Sequence, residues 1–254
     1  MAGAGMSLIT RRSLLITGAG GLLAGCDAIG KSEAGRDLLF KAEAVHRSLQ
    51  RALMHRDALA REFSEADMSP RFRSNGTRKP AGQDYQALMN GNFVDWRLTV
   101  DGLVARPLRL SLADLRALPQ RVQITRHDCV EGWSAIGKWH GPPLARILDL
   151  AGLRDNARYL VFHCADRLYG RPYYESIDLI DAFHPQTILA WAMNNRTLPV
   201  EHGAPLRLRV ERQLGYKQAK YVMRIEAVAS LDAIHGGKGG LWEDIADYEW
   251  YAGI

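Results

Sequence analysis

Cysteine is scarce in this chain: three among 254 residues, at Cys26, Cys129 and Cys164. Three so widely separated thiols make no zinc framework, and no CxxCH pattern offers covalent haem attachment. The glycine fingerprint of a dinucleotide fold and the phosphate-binding loop are both missing. Internal repeats and low-complexity tracts are missing too. Charge of one sign is in short supply as well. The formal net charge is +5, and Arg11 and Arg12 supply two of those charges, leaving about +3 for the remainder. That balance gives no reason to expect a nucleic-acid partner, although a local basic pocket for an anionic ligand is compatible with it. The one continuous apolar run, from Leu14 to Leu23, is too short to span a membrane as a mature helix.

What is present suits a globular chain. Hydrophobic residues make up 47% and charged residues 24%, enough for one large domain or two small ones around an ample core. Residues 1–25 read as an export signal: Arg11-Arg12, an apolar core, then small residues. Paired arginines in that setting match the twin-arginine address, a route for folded proteins often already carrying a cofactor. Leu23-Ala24-Gly25-Cys26 resembles a lipobox, in which Cys26 would be lipidated, and reads equally well as a plain small-residue cleavage region. Asp27 in that setting resembles an inner-membrane retention signal. The expected location is therefore the periplasm, with or without an anchor on the inner membrane.

The periodicity beyond it is mixed. Leu38, Leu39, Ala42, Val45, Leu49, Leu53 and Leu59 predict a helix from Ser32 to about Phe63, and Arg71 to Gly82 reads as a loop. Residues 26–82 are thus expected to be an N-terminal helix and linker, and 83–254 the main domain. Within that domain Trp96–Val100 predicts a strand that turns at Asp101-Gly102, and Ser111–Leu115 a capped helix. Val122–Ile124 predicts a strand, Trp139–Pro143 a turn, and the stretch from Pro143 to Leu150 a helix. Tyr159–Cys164, Tyr173–Ser176, Pro205–Val210 and Tyr221–Ala229 read as further strands, and Asp178–Phe183 as a short helix. Without regular βαβ units the fold class is α+β.

Chemistry concentrates at Thr125-Arg126-His127-Asp128-Cys129-Val130-Glu131-Gly132-Trp133. A cysteine among polar neighbours at a strand's end can attack a substrate carbon or sulfur, or hold a soft metal. Buried, the same residue is inert. Cys129 and Cys164 could also pair as a disulfide, which would disable both. His127 and His140 are candidate proton donors, or satisfy turns. The glycine-rich, then aromatic, segment Gly236–Tyr251 packs over the domain, covers a site or meets a redox partner.

Three blocks taken together are more specific than any one. Cys129-Val130-Glu131-Gly132-Trp133, Trp139-His140-Gly141-Pro142-Pro143-Leu144 and His202-Gly203-Ala204-Pro205-Leu206-Arg207 resemble the sulfite-oxidase-fold molybdopterin family. Within it they are most similar to the branch that includes periplasmic methionine-sulfoxide reductases. The resemblance runs from roughly Asn90 to Ala229. It implies a mixed sulfite-oxidase-type fold and a molybdenum–molybdopterin cofactor, with Cys129 as the protein's ligand to molybdenum and the catalytic residue. It also implies cofactor contacts at Asn92, Cys164, His202, Arg207, Lys217, Gln218, Ala219 and Lys220, with the arginine fork suited to a phosphate. Two positions depart from that branch: Cys164 stands where it has threonine, and His202 where it has asparagine. The arginines that follow the cysteine in sulfite oxidases are replaced by Val-Glu-Gly-Trp.

The implied reaction is oxygen-atom transfer, as reduction of an S-oxide or N-oxide, small or protein-bound. Its alternative is oxidation of sulfite or a related anion. A haem-containing membrane subunit is the implied electron partner. The reading of another class is a cofactor-free thiol protein built on Cys129.

Overall fold

The computed structural model describes residues 32–53 and 55–254, with the side chains of 33–40, 43 and 44 also outside the description. The expected export signal, Cys26 and Asp27 lie outside the described residues. The chain divides into two compact units, Met1–Leu53 and Met54–Ile254. The first contributes helix α1 (Glu33–Leu53), which stops before the expected Phe63. Beyond it, Phe63 N donates to Ile124 O at 2.9 Å, and Glu62 bridges Thr125. The residues expected to extend the helix instead line the edge of a strand in the second unit. That unit thus includes residues 54–82, the end of the expected helix and the loop from Arg71 to Gly82. Among the described residues no helix is long and apolar enough to cross a membrane.

The second unit is built on two main sheets. Helix α2 (Gln83–Asn90) leads into β1 (Leu98–Gly102), β2 (Leu108–Leu110) and α3 (Leu112–Ala117). Ser111 and Asp114 cap α3 reciprocally, as S-x-x-D sequences do. Then come β3 (Arg121–Asp128), β4 (Ser134–Gly141) and α4 (Leu144–Ala151). Strands β5 (Tyr159–Leu168) and β6 (Arg171–Asp178) form a long hairpin, followed by α5 (Leu179–Ala182). Short strands β7 (Ile188–Ala190), β8 (Ala192–Met193), β9 (Arg196–Thr197) and β10 (Arg207–Arg209) follow. The chain ends through β11 (Val222–Val228) and α6 (Leu241–Ala246). One sheet has the order β2-β1-β11-β5-β6, a second β3-β4-β8-β9, and β10 pairs with β7. Strand β1 runs parallel to β11, and the other named pairs are antiparallel. This is the α+β class that the sequence predicts.

The main core lies against the five-stranded sheet. Leu144, Ile147, Leu148 and Ala151 recur at helical spacing along α4 and are buried with Leu98, Val100, Leu160, Phe162 and Ile225. Two readings are corrected. Asp101-Gly102 is not a hairpin turn: β1 runs through Gly102, and its antiparallel partner β2 is reached by a longer loop. Trp139-His140-Gly141 is not a turn but the end of β4, where Ala135, Gly137, Trp139 and Gly141 alternate inward. Glycine is required at Gly141 because a Cβ there would lie 2.0 Å from Leu189 O. The turn residues of that block are Pro142-Pro143, and Pro143 caps α4. That close approach brings the β7–β10 pair against β4 and places Trp139 beneath the site.

Candidate functional site

Strand β3 points Thr125 and His127 inward and ends at Asp128, so that Cys129 begins the connection to β4. The connection is closed by its own backbone: Gly132 N donates to Cys129 O, and Cys129 N to Trp133 O, both at 2.9 Å. Gly132 adopts φ +83°, which favours glycine. Cys129, 9% exposed, lines a cavity of about 260 Å³. Its Sγ accepts from Asn75 Nδ2 at 3.3 Å.

The opposite wall comes from β10. Arg207 and Arg209, two residues apart, share a face, and their guanidinium carbons lie 4.9 and 4.2 Å from the Trp139 ring centre. The two are compensated differently. Arg209 donates to both oxygens of Glu211, at 2.9 and 2.6 Å, in a pair fully withdrawn from solvent. Arg207 donates only to carbonyl oxygens, His202 O at 3.0 Å and Gln218 O at 3.3 Å, and its Nε has no partner. Burial, then the neighbouring Arg209, pull the Arg207 pKa down to about 9. Lys220 likewise donates to carbonyls only, Asn75 O at 2.8 Å, Glu201 O at 3.0 Å and Thr77 O. Burial and Arg207 lower it to about 7. Among the described residues neither cation has a carboxylate partner.

Two imidazoles complete this wall. Arg209 Nη1 donates to His127 Nδ1 at 3.0 Å, and burial followed by Arg209 and Arg207 holds His127 well below the usual histidine range. Gly215 packs against its other nitrogen, where a Cβ would lie 2.5 Å from Nε2. Burial and Arg207 lower His202 to about 4. Both rings are neutral at pH 7, so neither carries a proton to give as an imidazolium.

The cavity thus gathers Cys129, His202, Arg207, Gln218 and Lys220 of the expected set, together with His127. The other expected contacts lie elsewhere. Asn92 sits in an exposed turn after α2, with φ +51°. Ala219 is in the core, its carbonyl accepting from Leu208 N at 2.8 Å. Lys217 is fully buried between Glu175 and Glu243, so its charge is already matched. Cys164 is free, as is Cys129, and burial pushes its thiol well above the usual range, which leaves it protonated and inert. His140 packs tilted against Trp191, ring centres 4.7 Å apart, outside the lining.

Sequence reading missed the segment 72–77, taken as a loop. Phe72 packs at 5.3–5.7 Å from His127, Trp139 and His202. Asn75 and Thr77 supply the carbonyls that hold Lys220, and Asn75 reaches the Cys129 sulfur. Opposite, Trp242 and Tyr248 of the C-terminal segment stack at 5.5 Å and continue to Tyr216 and Tyr169 as an aromatic wall. Lys217, through Glu243, fastens that wall to the domain.

The arrangement offers a soft thiol, buried basic groups whose hydrogen bonds go to carbonyls, and an unpartnered guanidinium nitrogen. Such a set fits a thiolate-ligated metal whose organic cofactor carries a phosphate. Among the described residues no group of three or more His, Cys, Asp or Glu could hold a metal by itself. Cys129 could therefore be one donor beside those a cofactor brings.

Comparisons by sequence point the same way. The family model for an oxidoreductase molybdopterin-binding domain matches residues 86–232. A chain of Azospira oryzae that bears the name protein-methionine-sulfoxide reductase subunit YedZ1 is 37% identical over 243 residues, 96% of this chain and 86% of that one. The protein-methionine-sulfoxide reductase catalytic subunit MsrP of Campylobacter jejuni is 30% identical over 179 residues, 65% of this chain and 58% of that one. Among solved structures, the sulfane dehydrogenase SoxCD from Paracoccus pantotrophus aligns at 24% identity and a TM-score of 0.49, over 54% of this chain and 39% of that one.

The lowered pKa of His202 has a consequence for stability. An unfolded chain protonates this histidine near its ordinary value of about 6.5, the folded site only near about 4. Stability present above pH 6.5 is therefore lost as pH falls toward 4. Between pH 7 and pH 4 the wild type should lose about 3 kcal/mol more than His202→Gln, measured by urea unfolding at each pH. Equal losses would mean that the ring is not held neutral.

Proposed function

The chain belongs to the molybdopterin-binding oxidoreductase family, and from that premise we propose that it reduces an S-oxide at a molybdenum ligated by Cys129. It is a molybdenum-cofactor-dependent enzyme; the substrate and the residue roles are our reading. The observation that carries it is Cys129 Sγ in the wall of a cavity whose buried cations, Arg207 and Lys220, lack carboxylate partners. When bound, the cofactor supplies a two-electron centre able to exchange an oxygen atom.

The chain's own groups hold and shield it. Arg207, with Nε and its remaining N–H groups, grips the phosphate, while Lys220 adds charge from donors already set on carbonyls. Gln218 and His202 line the same end, and neutral His202 can offer one N–H. Asn75 donates to the thiolate sulfur and so fixes its direction. Reduction of an S-oxide takes two electrons and two protons and gives a thioether and water. The aromatic wall of Tyr169, Trp242 and Tyr248 suits the apolar thioether better than a small anion, which favours this reading over sulfite oxidation. Both curated relatives bear the name of protein-methionine-sulfoxide reductases, which supports methionine sulfoxide as substrate.

Those names also speak of subunits, which supports a companion chain. A haem-containing membrane protein would deliver the electrons. Arg11-Arg12 and the apolar run after them support export to the periplasm, and Cys26 supports a lipid anchor there.

Protein matured in a host that makes the cofactor should contain about one molybdenum and one pterin per chain, and should reduce methionine sulfoxide with an artificial electron donor. Cys129→Ser should lose this activity by at least about a hundredfold. Metal-free, pterin-free wild type would overturn the assignment in favour of a thiol protein. For the anchor, mass spectrometry of the membrane fraction should find an acylated Cys26 at the new N-terminus. An unmodified N-terminus beyond residue 26 would rule out lipidation.

A further inference from the structure

Helix α1 (Glu33–Leu53) has no part in the chemistry above, and it carries an apolar row that faces water. Val45, Leu49 and Leu53 follow one another at intervals of four residues and so share one face, a turn apart. They are 68%, 54% and 77% exposed. Ala42 and Ala52 border the same face and are exposed as well. A contiguous row of large aliphatic side chains in water is unfavourable, and it marks a surface that meets something apolar.

Three observations say what that is. Among the described residues no helix is long and apolar enough to cross a membrane. In α1 the polar residues Lys41, His46, Arg47, Ser48, Gln50 and Arg51 occupy the positions off the row, as in a helix that lies on a bilayer rather than across it. The charge has one sign: from Lys41 to Arg56 the chain carries Lys41, Arg47, Arg51 and Arg56 against Glu43 alone, which complements anionic phospholipid. Lys41 and His46, both exposed, stand on the two shoulders of the row, where a basic side chain can lay its stem on apolar surface and its head among phosphates. The third observation is position. Glu33 lies seven residues beyond Cys26, the expected point of attachment, so its distance from an anchor is at most about 25 Å. A second copy of the chain fits the face less well. A seven-residue repeat through it would put Ala42, Val45, Leu49, Ala52 and then Arg56 along the seam, and alternate small residues ending in a cation make a poor coiled coil.

We infer that α1 is a membrane-surface helix, lying along an anionic bilayer with Val45, Leu49 and Leu53 among the acyl chains and its basic residues at the headgroups. The inference stands apart from the cofactor assignment and does not require Cys26 to be lipidated. It makes the helix, with or without a lipid, the part of the chain that reads the bilayer.

A probe on the helix itself tests this. Cys26→Ser removes any lipid from the exported full chain, matured with its cofactor. A polarity-sensitive fluorophore is then attached at Leu49→Cys or, on the opposite face, at Arg47→Cys, and the chain without an added cysteine gives the background. With vesicles of phosphatidylcholine and phosphatidylglycerol, emission from position 49 should shift to the blue and emission from position 47 should not. Binding to phosphatidylcholine alone should be at least about tenfold weaker. In vesicle sedimentation, unlabelled Leu49→Ser/Leu53→Ser should bind the mixed vesicles at least about tenfold more weakly than its parent, with the same melting temperature. No shift at position 49 with the mixed vesicles would overturn the inference and leave the cofactor assignment untouched. Equal shifts at both positions would overturn it too, because the helix would then have no membrane face. A blue-shifted probe at position 49 without vesicles, together with a dimer in sedimentation, would overturn it in favour of a second copy of the chain. A lower melting temperature in the double variant would make the row part of a folded core and overturn it as well.

Discussion

Burying positive charge without a matching carboxylate is the constraint on which this site depends. Taking an ion out of water costs several kcal/mol even after relaxation, and at Arg207 and Lys220 the second unit does so without an ion pair. Arg209 shows the ordinary solution two residues away, a bidentate pair with Glu211. Arg207 and Lys220 are instead held by carbonyl dipoles drawn from 75–77, 201–202 and 218, and by the face of Trp139. Those segments are far apart in sequence. Their convergence is what gives the cavity its sign, while burial and then the arginines lower both histidines of the wall.

A second ion cluster does the opposite work. Lys217 sits between Glu175 and Glu243, all three withdrawn from solvent. Burial, then the approach of Glu243, hold Glu175 well above the usual carboxylate range. Charge here is closed on itself and joins β6, the turn at Gly215–Lys217 and α6. The aromatic wall of the cavity is carried by that junction. Lys217 and Lys220, three residues apart, thus belong to separate devices, one that fixes the tail and one that faces the ligand.

Much of this was legible in the residues. Alternation placed Cys129 at the end of β3, capping placed α3, and the block His202–Arg207 placed the cationic wall. What escaped detection depended on three-dimensional partners. Nothing in the composition of Arg71–Gly82 distinguishes a linker from a cavity wall, and only the fold brings Asn75 to the cysteine sulfur. Lys217 looks as basic as Lys220 in sequence, and the two carboxylates that claim it come from 175 and 243. Trp139-His140-Gly141 suggested a turn because of Pro142-Pro143 beside it, whereas Gly141 serves a close approach of β7 to β4.

The central claim is that Cys129 ligates the metal, and X-ray absorption at the molybdenum edge tests it most directly. Counting sulfur neighbours in the matured wild type and in Cys129→Ser removes any dependence on substrate or electron donor. The account predicts one fewer sulfur scatterer at the metal in Cys129→Ser, with the cofactor's own sulfurs unchanged. An identical sulfur count in the two proteins would contradict it.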